Sequence, residues 1–141
     1  MENRLLIDMG VNKEYIFTSH GITVSAIAKY EEEYSNPELE RFIFSYKITI
    51  VNNTDLPVQL ISRKWEIYDG QGHIRNVEGV GVVGLQPILE SNQDFTYDSW
   101  CPLSTPLGKM KGFFFMNRLV DNQSLEVKIP EFTLICPFLQ N

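Results

Sequence analysis

A chain of 141 residues is long enough for a single domain to bury a core without disulfide staples. Its 43% apolar and 21% charged residues argue against wholesale disorder, and a formal net charge of −6 with no cluster of Lys and Arg argues against nucleic acid as a partner. Nine Phe and six Tyr, together with abundant Val, Ile and Thr, favour strands over helices.

The chain opens on Met1-Glu2-Asn3-Arg4-Leu5-Leu6-Ile7, and Asp8 ends that apolar run too soon for a secretory signal. Nothing approaches the ~20 apolar residues of a membrane span, so no membrane insertion is expected. The expected location is cytoplasmic, with Cys101 and Cys136 reduced. Residues 1–19 carry no sustained period and are expected to form an arm or a short edge element, followed by one domain over residues 20–141. From Gly21 onward, Ile22, Val24, Ala26 and Ala28 alternate with polar residues, which is the period of a half-buried strand. Glu31-Glu32-Glu33-Tyr34-Ser35-Asn36-Pro37-Glu38 is acidic and broken by proline, an exposed loop.

The clearest strand follows, with Phe42, Phe44, Tyr46, Ile48 and Ile50 on one face. Asn52-Asn53-Thr54-Asp55 closes it as a turn. In the next strand, at residues 58–69, Val58 and Leu60 sit on even positions but Ile61, Trp65 and Ile67 on odd ones. One register cannot bury both sets, so a bulge is predicted near residues 60–62. Arg63 shares the parity of Trp65, and these two are candidate structural residues. Arg63 either meets the ring or a buried acceptor, or snorkels out at the strand end.

Asp69-Gly70-Gln71-Gly72 is a turn. Gly79-Val80-Gly81-Val82-Val83-Gly84-Leu85-Gln86-Pro87 then spells the G-x-G-x-x-G pattern that holds pyrophosphate when it lies between a strand and a helix. Here Val82-Val83 is β-branched and Pro87 falls where the helix interior would begin, so a glycine-bent extended backbone is expected instead. A helix-free anion nest over residues 79–84 is the surviving ligand hypothesis. Phe95 and Tyr97 alternate with polar residues, and Ser99-Trp100-Cys101-Pro102-Leu103-Ser104-Thr105-Pro106-Leu107-Gly108 reads as a hydroxyl-rich loop. Residues 110–116 are apolar enough for a central strand covered on both sides. Leu125, Val127 and Ile129 form another strand, and Phe132 and Leu134 start a last short one. Seven or eight short strands without a helical segment indicate an all-β sandwich.

Four stretches carry a likeness to a known family: Arg63-Lys64-Trp65-Glu66-Ile67-Tyr68-Asp69, the glycine nonapeptide, Cys101-Pro102-Leu103-Ser104-Thr105-Pro106-Leu107-Gly108, and Met110-Lys111-Gly112. In order and spacing the chain resembles the ApaG (CorD) family from about Gly21 to the C-terminus, including Ile129-Pro130-Glu131-Phe132 and Pro137-Phe138. Trp100 departs from it, since family members usually have glycine before the cysteine. The resemblance implies an immunoglobulin/fibronectin type III-like β-sandwich. It also implies association with Co2+ resistance and Mg2+ efflux, and a domain that recurs as a protein-binding module in an F-box protein and a polymerase-delta-interacting protein.

No reaction is expected. His20 and His73 are the only histidines, and neither lies at metal-ligand spacing from a Cys or another His. Glu31, Glu32, Glu33 and Asp69 are hard-cation donors by type, but acidic loops are ordinarily just solvated. Cys101 has no cationic sequence neighbour to lower its pKa. No cofactor is expected. The leading expectation is a non-catalytic protein-interaction module whose surface includes Gly79, Gly81, Gly84, Gln86, Ser99, Ser104 and Thr105. The alternative is a sensor that binds a phosphate-containing small molecule, such as pyrophosphate or a dinucleoside polyphosphate, or a divalent cation near residues 79–84. Edge strands leave room for a homodimer.

Overall fold

A computed structural model describes residues 13–137, so residues 1–12 of the expected arm and the closing Phe138 lie outside the described residues. Among the described residues, nine strands form two antiparallel sheets packed face to face. Strands β1 (Glu14–Ser19), β2 (Ile22–Tyr30), β3 (Phe42–Asn52) and β7 (Asp94–Leu103) lie side by side in that order. The second sheet runs β5 (Ile74–Val80), β4 (Val58–Asp69), β8 (Leu107–Arg118), β9 (Gln123–Ile135), with the two-residue β6 (Ile88–Leu89) paired to the start of β4. This is the all-β sandwich that the strand period indicates, in the immunoglobulin/fibronectin type III-like form that the family resemblance implies.

Alternation decides which face each strand buries. Ile22, Val24 and Ala26 of β2 and Phe42, Phe44, Tyr46, Ile48 and Ile50 of β3 point into the core, as their spacing predicts. Asn52 ends β3 fully buried and hydrogen-bonded. Its Nδ2 donates to the carbonyls of Leu56 and Leu89 at 2.9 Å each, and its Oδ1 accepts the Thr54 amide at 3.0 Å. That amide therefore pins the β3–β4 loop to the segment entering β7 without leaving a buried polar atom unpaired. In the middle of the sandwich Trp65, 2% exposed, meets Tyr46, Phe132 and Phe114 edge-on at ring-centroid distances of 5.4, 6.0 and 6.5 Å.

The parity conflict in β4 resolves as predicted. Leu60 pairs with Met116 and Ser62 with Phe115, so Ile61 is an extra residue that lets Val58 and Leu60 face inward, and then Trp65 and Ile67. A second bulge lies in β9, where Met110 pairs with Phe132 but Gly112 with Ile129. Leu125, Val127 and Ile129 and then Phe132 and Leu134 are thus buried along one continuous strand rather than two.

Two expectations are corrected. The loop expected at residues 99–108 is mostly strand: β7 continues to Leu103, β8 begins at Leu107, and only residues 104–106 turn. Cys101 and Leu103 keep the inward parity of Tyr97, and Pro102 is tolerated because β7 is an edge strand. Strand β8, expected to be covered on both sides, is central in its sheet but buries one face. Met110, Phe114 and Met116 are inside, while Phe115 is exposed and the Lys111 ammonium lies 5.4 Å from the centre of the Tyr68 ring.

The two sides of the sandwich differ. On one side β9 is tied to the first sheet by the Tyr15 hydroxyl and Thr133 Oγ1 at 2.8 Å, and by the Lys128 amide donating to Ser19 Oγ at 3.1 Å. On the other side the end strands β5 and β7 are not paired with each other.

Candidate functional site

The glycine nonapeptide sits on the β4 bulge. Because Ile61 is the extra residue, its carbonyl is released from regular pairing. It accepts the Gly81 amide at 2.8 Å and the Gln86 side-chain amide at 3.0 Å. Val82 and Leu85 exchange two amide-to-carbonyl bonds of 2.8 Å around Val83 and Gly84, whose φ values of 43° and 79° make a two-residue hairpin turn. Val82 is thereby driven into the core at 0% exposure. Gly81 has φ of 63°, and a Cβ there would lie 2.1 Å from the Leu85 carbonyl oxygen, so only glycine fits. The amides of Gly81, Val82 and Leu85 are thus committed to carbonyls of the chain itself.

Arg63 joins this segment to the open side. It faces Gly79 across the β4–β5 pair, and its Nη1 donates to the carbonyls of Val80 at 3.3 Å and Gly81 at 2.8 Å. The side chain therefore meets backbone acceptors. Arg75, two residues along β5 from Val77 and on the same face, reaches across to β7, where its Nη2 donates to the Pro102 carbonyl at 3.2 Å and lies 3.7 Å from Cys101 Sγ. Arg63 and Arg75 bound a cleft of about 220 Å³ together with Tyr46, Ser99, Trp100 and Pro102. The Tyr46 hydroxyl, whose pKa is raised by burial and eased back by a hydrogen bond with Ser99, occupies its inner wall.

The Pro102 carbonyl faces Arg75 and so points away from β3. By the two-residue alternation of an antiparallel strand, Trp100 presents its N–H and C=O to that same open side. The Trp100 side chain is 52% exposed and stacks edge-on against Tyr34, itself 61% exposed, at 5.2 Å between ring centres. Arg41 and Ile43 complete a groove of about 520 Å³ beside that pair. A third cleft of about 490 Å³ includes Arg41, Arg75, Asp69, His73 and Ser104. Asp69 is held below the usual carboxylate range: partial desolvation works against this, but the amides of Gln71 and His73 and the His73 ring outweigh it.

The residues singled out by sequence separate into three groups. Ser99 and Ser104 line the clefts. Gly79, Gly81, Gly84 and Gln86 build the bulge-capping turn, which touches the cleft through Arg63. Thr105 is buried structure: its hydroxyl accepts the Gly70 amide at 2.8 Å and donates to the Leu107 carbonyl at 2.7 Å. Arg41, Arg75 and Tyr34 carry no local sequence signal, because they come from separate elements that only the sheet order brings together. Cys101 is buried, and burial pushes its thiol up to about 11 against the lowering effect of the Arg75 charge, so it is a protonated thiol at neutral pH. Cys101 and Cys136 are not bonded to each other. Among the described residues, no three His, Cys, Asp or Glu side chains converge as a metal would require, and no helix is long and apolar enough to cross a membrane.

Comparison with known proteins adds a lineage to this geometry. The ApaG domain family model matches residues 32–118. A Protein ApaG from Methylorubrum populi is 45% identical over 126 residues, which cover 89% of this chain and 96% of that relative. Another from Brucella abortus is 42% identical over 123 residues, covering 87% and 94%. Among solved structures, a protein described as ApaA from Bordetella pertussis matches with a TM-score of 0.80 and 40% identity over 82% of this chain and 94% of its own.

Proposed function

The chain belongs to the ApaG domain family, and from that premise we propose that it is a non-catalytic protein-interaction module that binds a partner along the open side of its sandwich. The observation that carries this reading is the conjunction at β7. An edge strand with an outward-facing backbone runs beside a half-exposed Trp100–Tyr34 pair and Arg41. An unpaired edge supplies main-chain hydrogen bonds to an incoming strand. Trp, Tyr and Arg are the residue types that dominate binding hot spots. On the opposite side the Tyr15–Thr133 and Lys128–Ser19 bonds tie β1 to β9.

Within this reading, a role in Co2+ resistance and Mg2+ efflux would be exerted through the bound protein, and the chain would work in the cytoplasm with Cys101 and Cys136 as thiols. The test is co-purification from native cells, followed by mass spectrometry, for wild type and a Trp100→Glu, Tyr34→Glu double variant. Phe17→Glu on the opposite edge strand β1 is the control. At least one partner is expected to be lost with the double variant and kept with the control. Partners equally retained by all three proteins would reject the open side as the binding face. A rise in Tm with Co2+, Mg2+ or pyrophosphate, with no partner lost, would favour a small-ligand sensor instead.

A further inference from the structure

We infer that the partner segment is acidic: an extended stretch of protein that places an Asp or Glu side chain in the cleft between Arg63 and Arg75. The inference rests on the reading that the open side is the binding face, and it deepens that reading by naming the chemistry of what binds.

The chain carries 18 acidic residues against 12 Lys and Arg, so an exposed cation has carboxylates in plentiful supply. Three cations elsewhere use them. Arg118 grips Asp121 with two bonds of 3.1 and 2.7 Å, Lys64 lies 3.9 Å from Glu78, and Lys109 lies 3.6 Å from Glu131. Of the four described arginines, Arg118 alone is paired in this way; Arg41, Arg63 and Arg75 are not. None has a carboxylate within 4.0 Å among the described residues, and all three line the clefts around Trp100 and Pro102.

Arg63 and Arg75 are already held in place by backbone carbonyls. Their bonds use Nη1 of Arg63 and Nη2 of Arg75, which leaves the other guanidinium nitrogens without a partner among the described residues. Two anchored forks with spare donors are a preorganised receptor for a planar carboxylate. No acidic residue lines this cleft, whereas Glu40 and Asp69 line the neighbouring one and would repel the guest there.

Size and surroundings favour a peptide side chain over a free polyphosphate. The cleft of about 220 Å³ is smaller than the roughly 300–1,000 Å³ of sites that enclose drug-sized ligands. The outward backbone of Trp100 and the Trp100–Tyr34 pair beside it offer what an extended chain uses at alternate residues: main-chain bonds and an aromatic surface. A free phosphate would engage the arginines alone.

The test is a phage-display selection of random linear peptides on the full chain, followed by fluorescence anisotropy of the enriched peptides. Enrichment of Asp or Glu is expected. Changing the peptide's acidic residue to its amide, or Arg75→Gln in the protein, is expected to weaken binding about 10- to 100-fold. Because Arg75→Gln also removes a bond to Pro102, the peptide substitution keeps the inference falsifiable if that variant does not fold. Neutral or basic peptides that bind wild type but not Trp100→Ala would overturn the acidic chemistry and leave the binding face standing. Peptides indifferent to Trp100→Ala, or no enrichment at all, would overturn both. Displacement of the peptide by micromolar inorganic pyrophosphate would assign the arginines to a free phosphate ligand and overturn the inference.

Discussion

The three glycines of the G-x-G-x-x-G pattern do different physical jobs, and replacing each in turn by alanine separates them. Gly84 has φ of 79° with open space where a Cβ would go, so Gly84→Ala carries only the backbone penalty of the left-handed region, about 1–2 kcal/mol. Gly81→Ala incurs the same penalty at φ of 63° and also places its Cβ 2.1 Å from the Leu85 carbonyl oxygen. Relieving that overlap means opening the reciprocal Val82–Leu85 bonds, at about 0.5–1.5 kcal/mol each, for a total of roughly 2–5 kcal/mol. Gly79→Ala meets the Arg63 guanidinium, 2.7–2.9 Å away, and displacing it gives up the donation from Nη1 to the Val80 and Gly81 carbonyls, so about 0.5–1.5 kcal/mol is expected. Urea unfolding followed by the fluorescence of buried Trp65 measures all three. The expected order of destabilisation is Gly81, Gly84, Gly79. Equal losses at Gly81 and Gly84 within about 0.5 kcal/mol, or the largest loss at Gly79, would refute the bulge-cap account of this segment.

Two further predictions concern buried groups next to the clefts. Cys101 has a folded-state pKa of about 11 against an ordinary 9.0, chiefly because it is buried, with the Arg75 charge opposing. A raised value stabilises fully below the unfolded pKa and is lost as pH climbs through the folded one. Stability should therefore fall by about 2–3 kcal/mol from this group between about pH 9 and pH 11. Tyr46 and Tyr97, also raised by burial, add a slope of the same sign, so the measurement is the difference in unfolding free energy between wild type and Cys101→Ala across that range. Parallel curves would refute it. Thr105→Val keeps the shape but deprives the Gly70 amide of its acceptor and should cost about 1–3 kcal/mol in urea unfolding, while Ser104→Ala stays within about 0.5 kcal/mol. Equal effects would show that the Thr105 hydroxyl is dispensable.

Strand parity made most of the fold legible before any coordinate. It showed the buried face of β3, and its failure in β4 located a bulge, because a one-residue insertion lets a strand covered on one face bury even positions and then odd ones. The same failure of parity in β9 marks the second bulge, but Pro130 there looks like a strand end when only the sequence is in view. The β7 strand was masked by its own composition: Ser99, Pro102 and Ser104 are turn formers by type, yet Cys101 and Leu103 continue the buried alternation. For the site, the glycines and hydroxyls drew attention because they are conspicuous in sequence. The geometry gives most of them to the scaffold and hands the clefts to Arg41, Arg63, Arg75 and Trp100, residues separated by many positions and gathered only by the placing of β5 beside β7.

The outward backbone of β7 also has a consequence for how much of this protein a cell can tolerate. An edge that accepts a foreign strand accepts the same edge of another copy, and edge-to-edge association is the hazard that sheet proteins guard against. Here the guard is partial. Pro102 withholds an N–H at one point and Arg75 covers one carbonyl, but Trp100 keeps both groups outward with an apolar ring alongside. On the proposed reading, a partner at that edge would act as a cap as well as a ligand. Supply in excess of such a partner would then be a solubility problem, and the proposed binding face carries with it a requirement for matched dosage of the two chains.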